Sequence, residues 1–286
     1  MIDPRWLLKA LAIVLAVALL CAWGTLCLLW YQGQWQLVLH PSRTVATTPA
    51  SIGLNFTDVN FAVDATGKPQ LHGWLIPGNG TPYATTALFL HGADGSISDA
   101  LPRVLTLHNA GINVLLFDYR GYGHSAGQHP TQLTMQQDAE SALAFLTSTQ
   151  RVPAFPIVPY GQGIGASLAL HLAAQHPEIP AIILESPDGD LTGRVAHDAH
   201  SWVIPVRLLF HEDFPLAEPL RTLNVPKLLV TYTYANPPAI LASAAYPSVT
   251  LELPSPNDPA LIPALQRFID GYVRNAGPMR TQPGRW

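Results

Sequence analysis

Charge is scarce in this chain. Aspartate, glutamate, lysine and arginine make up 12% of its 286 residues, and 15 basic against 19 acidic residues leave a net charge of −4. No basic run rises above the scattered Arg and Lys, so nothing draws the chain to nucleic acid. Cysteine is scarcer still. Cys21 and Cys27 are the only two, both inside one apolar run, so the rest of the chain has neither a thiol nor a disulfide. Neither follows the small residue that a lipoprotein cleavage site requires. Metal-ligand spacing is missing too: there is no H-x-x-x-H or H-E-x-x-H, and His197 and His200, with Asp198 between them, have no identifiable third ligand. No metal or other cofactor is expected, and no internal repeat occurs. The chain has two further gaps. No histidine follows His211, and no Asp or Glu falls between Leu228 and Thr250.

What the chain does have is one long apolar stretch, ALAIVLAVALLCAWGTLCLLWY, from Ala10 to Tyr31, without a charged residue. At about 1.5 Å per residue its roughly 22 residues match a hydrocarbon layer about 30 Å thick. The stretch is too long for a cleaved signal peptide and lacks an A-x-A exit. Residues 1–31 are therefore expected to be a cytoplasmic stub and a transmembrane anchor. Arg5 and Lys9 flank its start, and the next basic residue is Arg43, so the positive-inside rule leaves the N-terminus cytoplasmic and the globular part periplasmic or otherwise extracytoplasmic. Trp23, Trp30, Tyr31 and Trp35 fit an aromatic belt at the outer face.

The remaining length suits one α/β domain. Residues 32–52 read as a polar, proline-bearing neck, 53–276 as the domain and 277–286 as a tail. Segments 54–63 and 71–77 predict a starting hairpin around Asp64-Ala65-Thr66-Gly67. Unbroken apolar runs at 87–92, 112–121, 156–161, 181–186 and 226–232 predict strands covered on both faces. Their alternation with helix-length segments at 97–110, 131–149, 164–176 and 258–275 predicts a mostly parallel sheet between helices. Leu133, Met135, Ala139, Ala142 and Phe145 form the apolar stripe of the second of these helices. The Pro- and His-rich piece 191–223 breaks the rhythm and reads as a cap.

The turn Gly161-Gln162-Gly163-Ile164-Gly165-Ala166 admits two readings. As G-x-G-x-x-A it is a dinucleotide fingerprint with Glu185 ending the next strand; as G-x-S-x-G it is a nucleophile elbow whose serine has become Gly163. The fingerprint ordinarily opens the first βα unit of its domain, whereas two strands with motifs of their own precede this turn. Those motifs, LFLHGADGS (88–96) and FDYRGYGHSAG (117–127), resemble the oxyanion strand and following loop of α/β-hydrolases, in particular a membrane-tethered serine-hydrolase branch. The resemblance covers roughly residues 52–275 and implies the α/β-hydrolase fold. It also implies a Ser, acid, His triad in that chain order.

Against that pattern all three positions fail. The nucleophile position is Gly163. The histidine position after the strand 248–254 falls at Ser255-Pro256-Asn257-Asp258, near Pro256, and the loop after 226–232 carries no acid. Ser167, one helical turn beyond Gly163, reads as a packing residue and Ser125 as a structural one. Glu185 need only cap the sheet. Asp188 and Asp190 could supply an acid but would have no late histidine to orient, and His91, His124, His197, His200 and His211 are the remaining imidazoles near the expected cleft or cap. The amides of Ala93 and Ile164 should still form an oxyanion-type hole at a helix start. The expectation is a membrane-anchored pseudo-hydrolase that binds a small acyl or carboxylate ligand, or a protein partner. An active esterase, lipase or peptidase with a rearranged site, and a dinucleotide-dependent enzyme, are the alternatives.

Overall fold

The computed structural model describes residues 4–64, 66–79, 85–149, 157–189, 191–198, 203–235 and 238–274. Helix α1 (Pro4–Gly33) buries none of its side chains and is apolar all round. Among the described residues it is the one helix long and apolar enough to cross a membrane.

Ten strands follow. β1 (His40–Pro41) and β5 (Asp94–Gly95) make a small parallel pair. The other eight are β2 (Thr57–Ala62), β3 (Pro69–Ile76), β4 (Thr86–Leu90), β6 (Asn113–Asp118), β7 (Ile157–Gln162), β8 (Ile182–Glu185), β9 (Lys227–Tyr232) and β10 (Ser248–Leu253). They form one sheet in the order β10-β9-β8-β7-β4-β6-β3-β2, parallel except where β3 pairs with β2 and β6. The expected hairpin is thus β2 and β3, and each double-faced apolar run is a strand. β4 and β9 are buried at every position, as strands covered on both faces must be.

The long helices are α2 (Leu101–Asn109), α3 (Gln132–Ala144), α4 (Gly165–Gln175) and α8 (Leu261–Ile269). Leu101, Val104 and Leu107 of α2 and Leu261, Leu265 and Phe268 of α8 join Val114, Leu116, Val158, Tyr160, Leu228 and Val230 in one core. α3 packs against α4, and Phe61 touches both Phe117 of β6 and Phe145 just beyond α3. The stripe expected on α3 needs one correction. Met135, Ala139 and Ala142 are buried, but Leu133 is 64% exposed, because it lies about 200° around the helix from Met135.

The chain divides into two compact units, Met1–Val38 with Leu191–Asp213, and Leu39–Asp190 with the chain from Phe214 onward. Two expected boundaries shift accordingly. The second half of the neck belongs to the sheet unit: Leu39 is fully buried, and β1 pairs with β5. The cap divides at residue 213. Helices α5 (Leu191–Ala196) and α6 (Val206–Leu209) go with α1, while α7 (Ala217–Thr222) packs on α4 in the sheet unit. The expected tail lies outside the described residues.

Candidate active site

The turn between β7 and α4 holds Gly163 at φ +57°, the left-handed conformation of a strand-to-helix elbow. Its amide donates to the Glu185 carbonyl at 3.0 Å, tying the apex to the end of β8. The flanking glycines are required by close approach. A β-carbon on Gly161 would stand 2.3 Å from the Gly165 carbonyl oxygen, and one on Gly165 would stand 2.0 Å from that of Leu90. Gly163 differs. A β-carbon there would meet Asp188 Oδ2 at 3.4 Å and Gly92 Cα at 3.7 Å, with nothing nearer. The elbow thus keeps the space that a serine would fill while lacking its oxygen.

Beside it runs the turn that follows β4. Ala93 is held by its carbonyl, which accepts from the His40 amide at 3.0 Å and from the Tyr122 hydroxyl at 2.7 Å. Outside the helix and strand ladders, no backbone hydrogen bond from the amides of Ala93 and Ile164 is seen among the described residues. Ile164 is also the N-cap of α4, where the helix dipole favours an anion or a carbonyl oxygen.

Among the described residues, no histidine atom lies within 4 Å of the position a β-carbon on Gly163 would take. His91 is buried between Tyr119 and Tyr122, ring centroids 4.4 and 5.0 Å away. Its Nδ1 donates to the Gly92 carbonyl at 2.9 Å, and its Nε2 is buried without a partner. Burial outweighs that hydrogen bond and pushes the imidazole down to about 4, so it is neutral at physiological pH. The His124 ring lies 5.1 Å from that of His72. His197 Nδ1 donates to the Gly193 carbonyl, and His211 packs edge-on to Tyr31. His200 and Asp190 lie outside the described residues. No group of three metal-ligating side chains occurs among the described residues.

The position after β10 is occupied by a helix start rather than a base. Pro256 is exposed, and Asp258 Oδ1 accepts the Ala260 amide at 2.8 Å just before α8. After β9, Tyr234 stacks on Tyr232 at 5.5 Å; Asn236 is outside the described residues. Ser167 donates to the Pro215 carbonyl, and Ser125 bridges the Asp118 carbonyl and the His72 amide, so both act structurally.

Glu185 does far more than cap the sheet. Wholly buried, it accepts from Arg103 Nε at 3.0 Å, from a second Arg103 nitrogen at 2.5 Å, from Tyr160 Oη at 2.7 Å and from Tyr232 Oη, with Gln162 Nε2 at 3.5 Å. Burial pulls the Arg103 guanidinium down, but Tyr160 and Glu185 outweigh it and hold it above its ordinary value. Burial, then Glu185, pushes the Tyr160 and Tyr232 hydroxyls up, so both remain protonated donors. The available signals were an arginine on the apolar face of α2 and two tyrosines on strands flanking β8.

The family model described as serine aminopeptidase, S33 (Hydrolase_4) matches residues 82–254. Rv2307c, an uncharacterised protein of Mycobacterium tuberculosis H37Rv, is 30% identical over 275 residues, 91% of this chain and 95% of its own. Protein bem46 of Schizosaccharomyces pombe is 30% identical over 148 residues, 51% of this chain and 48% of its own. Among solved structures, the Pyrococcus furiosus esterase Pf2001 superposes with a TM-score of 0.60 at 18% identity, covering 82% of this chain and 98% of that one. With more than half its length matched and the elbow, parallel sheet and flanking helices in place, the chain belongs to the serine aminopeptidase S33 family of α/β-hydrolases.

Proposed function

We propose that this chain is a membrane-anchored family member that binds an acyl or carboxylate group without cleaving it. The observation that carries the reading is Gly163 at the apex of a sterically intact elbow. Glycine offers no nucleophile, the position after β10 offers no base, and the described part of the loop after β9 offers no acid. Donor amides at Ala93 and Ile164 remain to hold an oxyanion or a carbonyl oxygen. The charge-free run of α1 supports anchoring, and Arg5 and Lys9 support a cytoplasmic N-terminus with the sheet unit on the far side.

A second reading, an active hydrolase with a rearranged site, is favoured by one observation: the Asp188 carboxylate beside the empty serine position. The two separate by labelling. The detergent-solubilised full chain is expected to stay unlabelled by a fluorophosphonate probe and to leave p-nitrophenyl butyrate at its uncatalysed rate. It should nevertheless bind a medium-chain fatty acid, detected by saturation-transfer NMR and lost when Ile164→Pro removes one donor amide. Labelling, or ester turnover abolished by Asp188→Asn, would establish the second reading instead.

A further inference from the structure

In the unit formed by Met1–Val38 and Leu191–Asp213, residues 203–211 run alongside the C-terminal turns of α1 in matched order. Trp23 Nε1 donates to the Val203 carbonyl at 2.9 Å, and Trp30 packs on Phe210 at 6.3 Å. Tyr31 meets His211 at 5.3 Å, and the buried Gln34 accepts the His211 amide at 2.7 Å. Trp23, Trp30 and Tyr31, expected in an aromatic belt, are therefore engaged by protein. Trp23 lies eight residues before Tyr31, about 12 Å deeper along the helix. If Tyr31 marks the interface, the Val203 carbonyl sits within the hydrocarbon layer, at a depth where an indole N–H has no water to bond.

The segment is built for such a place. VIPVRLLF (203–210) has one charged residue, Arg207, and the polar run His211-Glu212-Asp213 begins where the contacts reach Gln34. Its backbone is largely closed on itself: the Val206 amide donates to Ile204, those of Leu208 and Leu209 to Pro205, and that of Phe210 to Val206. Pro205 has no amide to satisfy. This internal satisfaction is what backbone in lipid requires. Leu208, 75% exposed, has no protein cover, and the exposed Arg207 can extend its stem toward the interface.

We propose that residues 203–210 form a re-entrant segment seated beside α1 in the same leaflet, with Leu208 packed against lipid acyl chains. The proposal rests on the reading of α1 as a membrane anchor, and its continuity with that apolar surface is what selects lipid as the occupant. It is tested on the full chain in phosphatidylcholine vesicles, with Cys21 and Cys27 replaced by serine and an environment-sensitive fluorophore on Leu15→Cys, Leu208→Cys or Tyr246→Cys. All three side chains are exposed, so the fold should tolerate each label. The labels at 15 and 208 should be quenched by nitroxide on the acyl chains and about tenfold less by iodide than the label at 246, since ions are excluded from hydrocarbon. Iodide quenching at 208 with lipid quenching at 15 overturns the re-entrant segment alone. Iodide quenching at 15 overturns the anchor reading beneath it.

Discussion

Asp188 Oδ2 lies 3.4 Å from the point where a β-carbon on Gly163 would stand, an ordinary van der Waals separation. The elbow therefore accepts a side chain at its apex, and the cost of adding one is conformational. A non-glycine residue at φ +57° costs about 1–2 kcal/mol. Gly163→Ser should fold, melt a few degrees lower and remain near background on short p-nitrophenyl esters, because a neutral hydroxyl without a base is a poor nucleophile. Turnover well above the uncatalysed rate would reveal a base that the geometry does not show.

Gly161→Ala and Gly165→Ala should behave differently, since their β-carbons would overlap backbone carbonyl oxygens that cannot yield without separating β4, β7 and α4. Each should destabilise by more than about 4 kcal/mol, or fail to accumulate as soluble sheet unit. Thermal melts of the three glycine variants side by side give the ranking.

Glu185→Gln should be among the most damaging isosteric changes in the chain. It leaves the Arg103 guanidinium buried without its counter-charge, a situation that costs about 3–5 kcal/mol. Adding Arg103→Met should restore part of the loss, because the glutamine can still accept from Tyr160 and Tyr232. Denaturant midpoints of the two single variants and the double variant measure the coupling. An additive double variant would contradict it.

His91 links stability to acid. Its pKa falls from 6.5 in the unfolded chain to about 4 in the fold, so between those values the unfolded state binds the proton that the fold refuses. The contribution of this group, about 3 kcal/mol when complete, is present above pH 6.5 and is lost as pH falls through 4. Asp138, pushed up to about 6 by burial against the pull of Arg120, works in the opposite sense over nearly the same window. The wild type alone is therefore a poor reporter. The stability of His91→Asn relative to wild type should rise by about 3 kcal/mol between pH 7 and pH 4. A constant difference would show that His91 titrates normally.

A chain beginning at Leu39 should melt about 12–24 °C above one beginning at Gly53, given about 1 kcal/mol for each of six lost hydrogen bonds and about 2–4 °C per kcal/mol. The shorter chain lacks the His40 amide bond to Ala93, the Ser42 bonds to Gly95 and Gly123, the Thr44 bond to Ser96, and the Arg43 bonds to the Ser125 and Gly127 carbonyls. Differential scanning fluorimetry of the two truncations is sufficient.

Legibility followed the range of the determining forces. The strands β4, β6, β7 and β9 could be read because burial on both faces writes an unbroken apolar run into local sequence. The elbow could be read because its glycines answer to contacts between adjoining elements. β1 could not, since two residues, one of them proline, carry no periodicity and become a strand only by pairing with β5 across more than fifty residues of chain. The partnership of 203–211 with α1 was hidden for the same reason, its partners lying about 180 residues apart. Glu185 was visible as a residue but not as a hub, because an ion pair between α2 and β8 leaves no spacing signature.

The cluster around Glu185 also sets how the sheet unit opens. One carboxylate joins α2 through Arg103, β7 through Tyr160 and β9 through Tyr232, while its own carbonyl holds the Gly163 amide. α2 cannot leave without stranding a buried charge, nor β7 or β9 without stripping a donor from that charge, so their amides should exchange with deuterium together, at the rate of global opening. The exposed outer strand β10, which takes no part in the cluster, is free to exchange earlier through its own fraying.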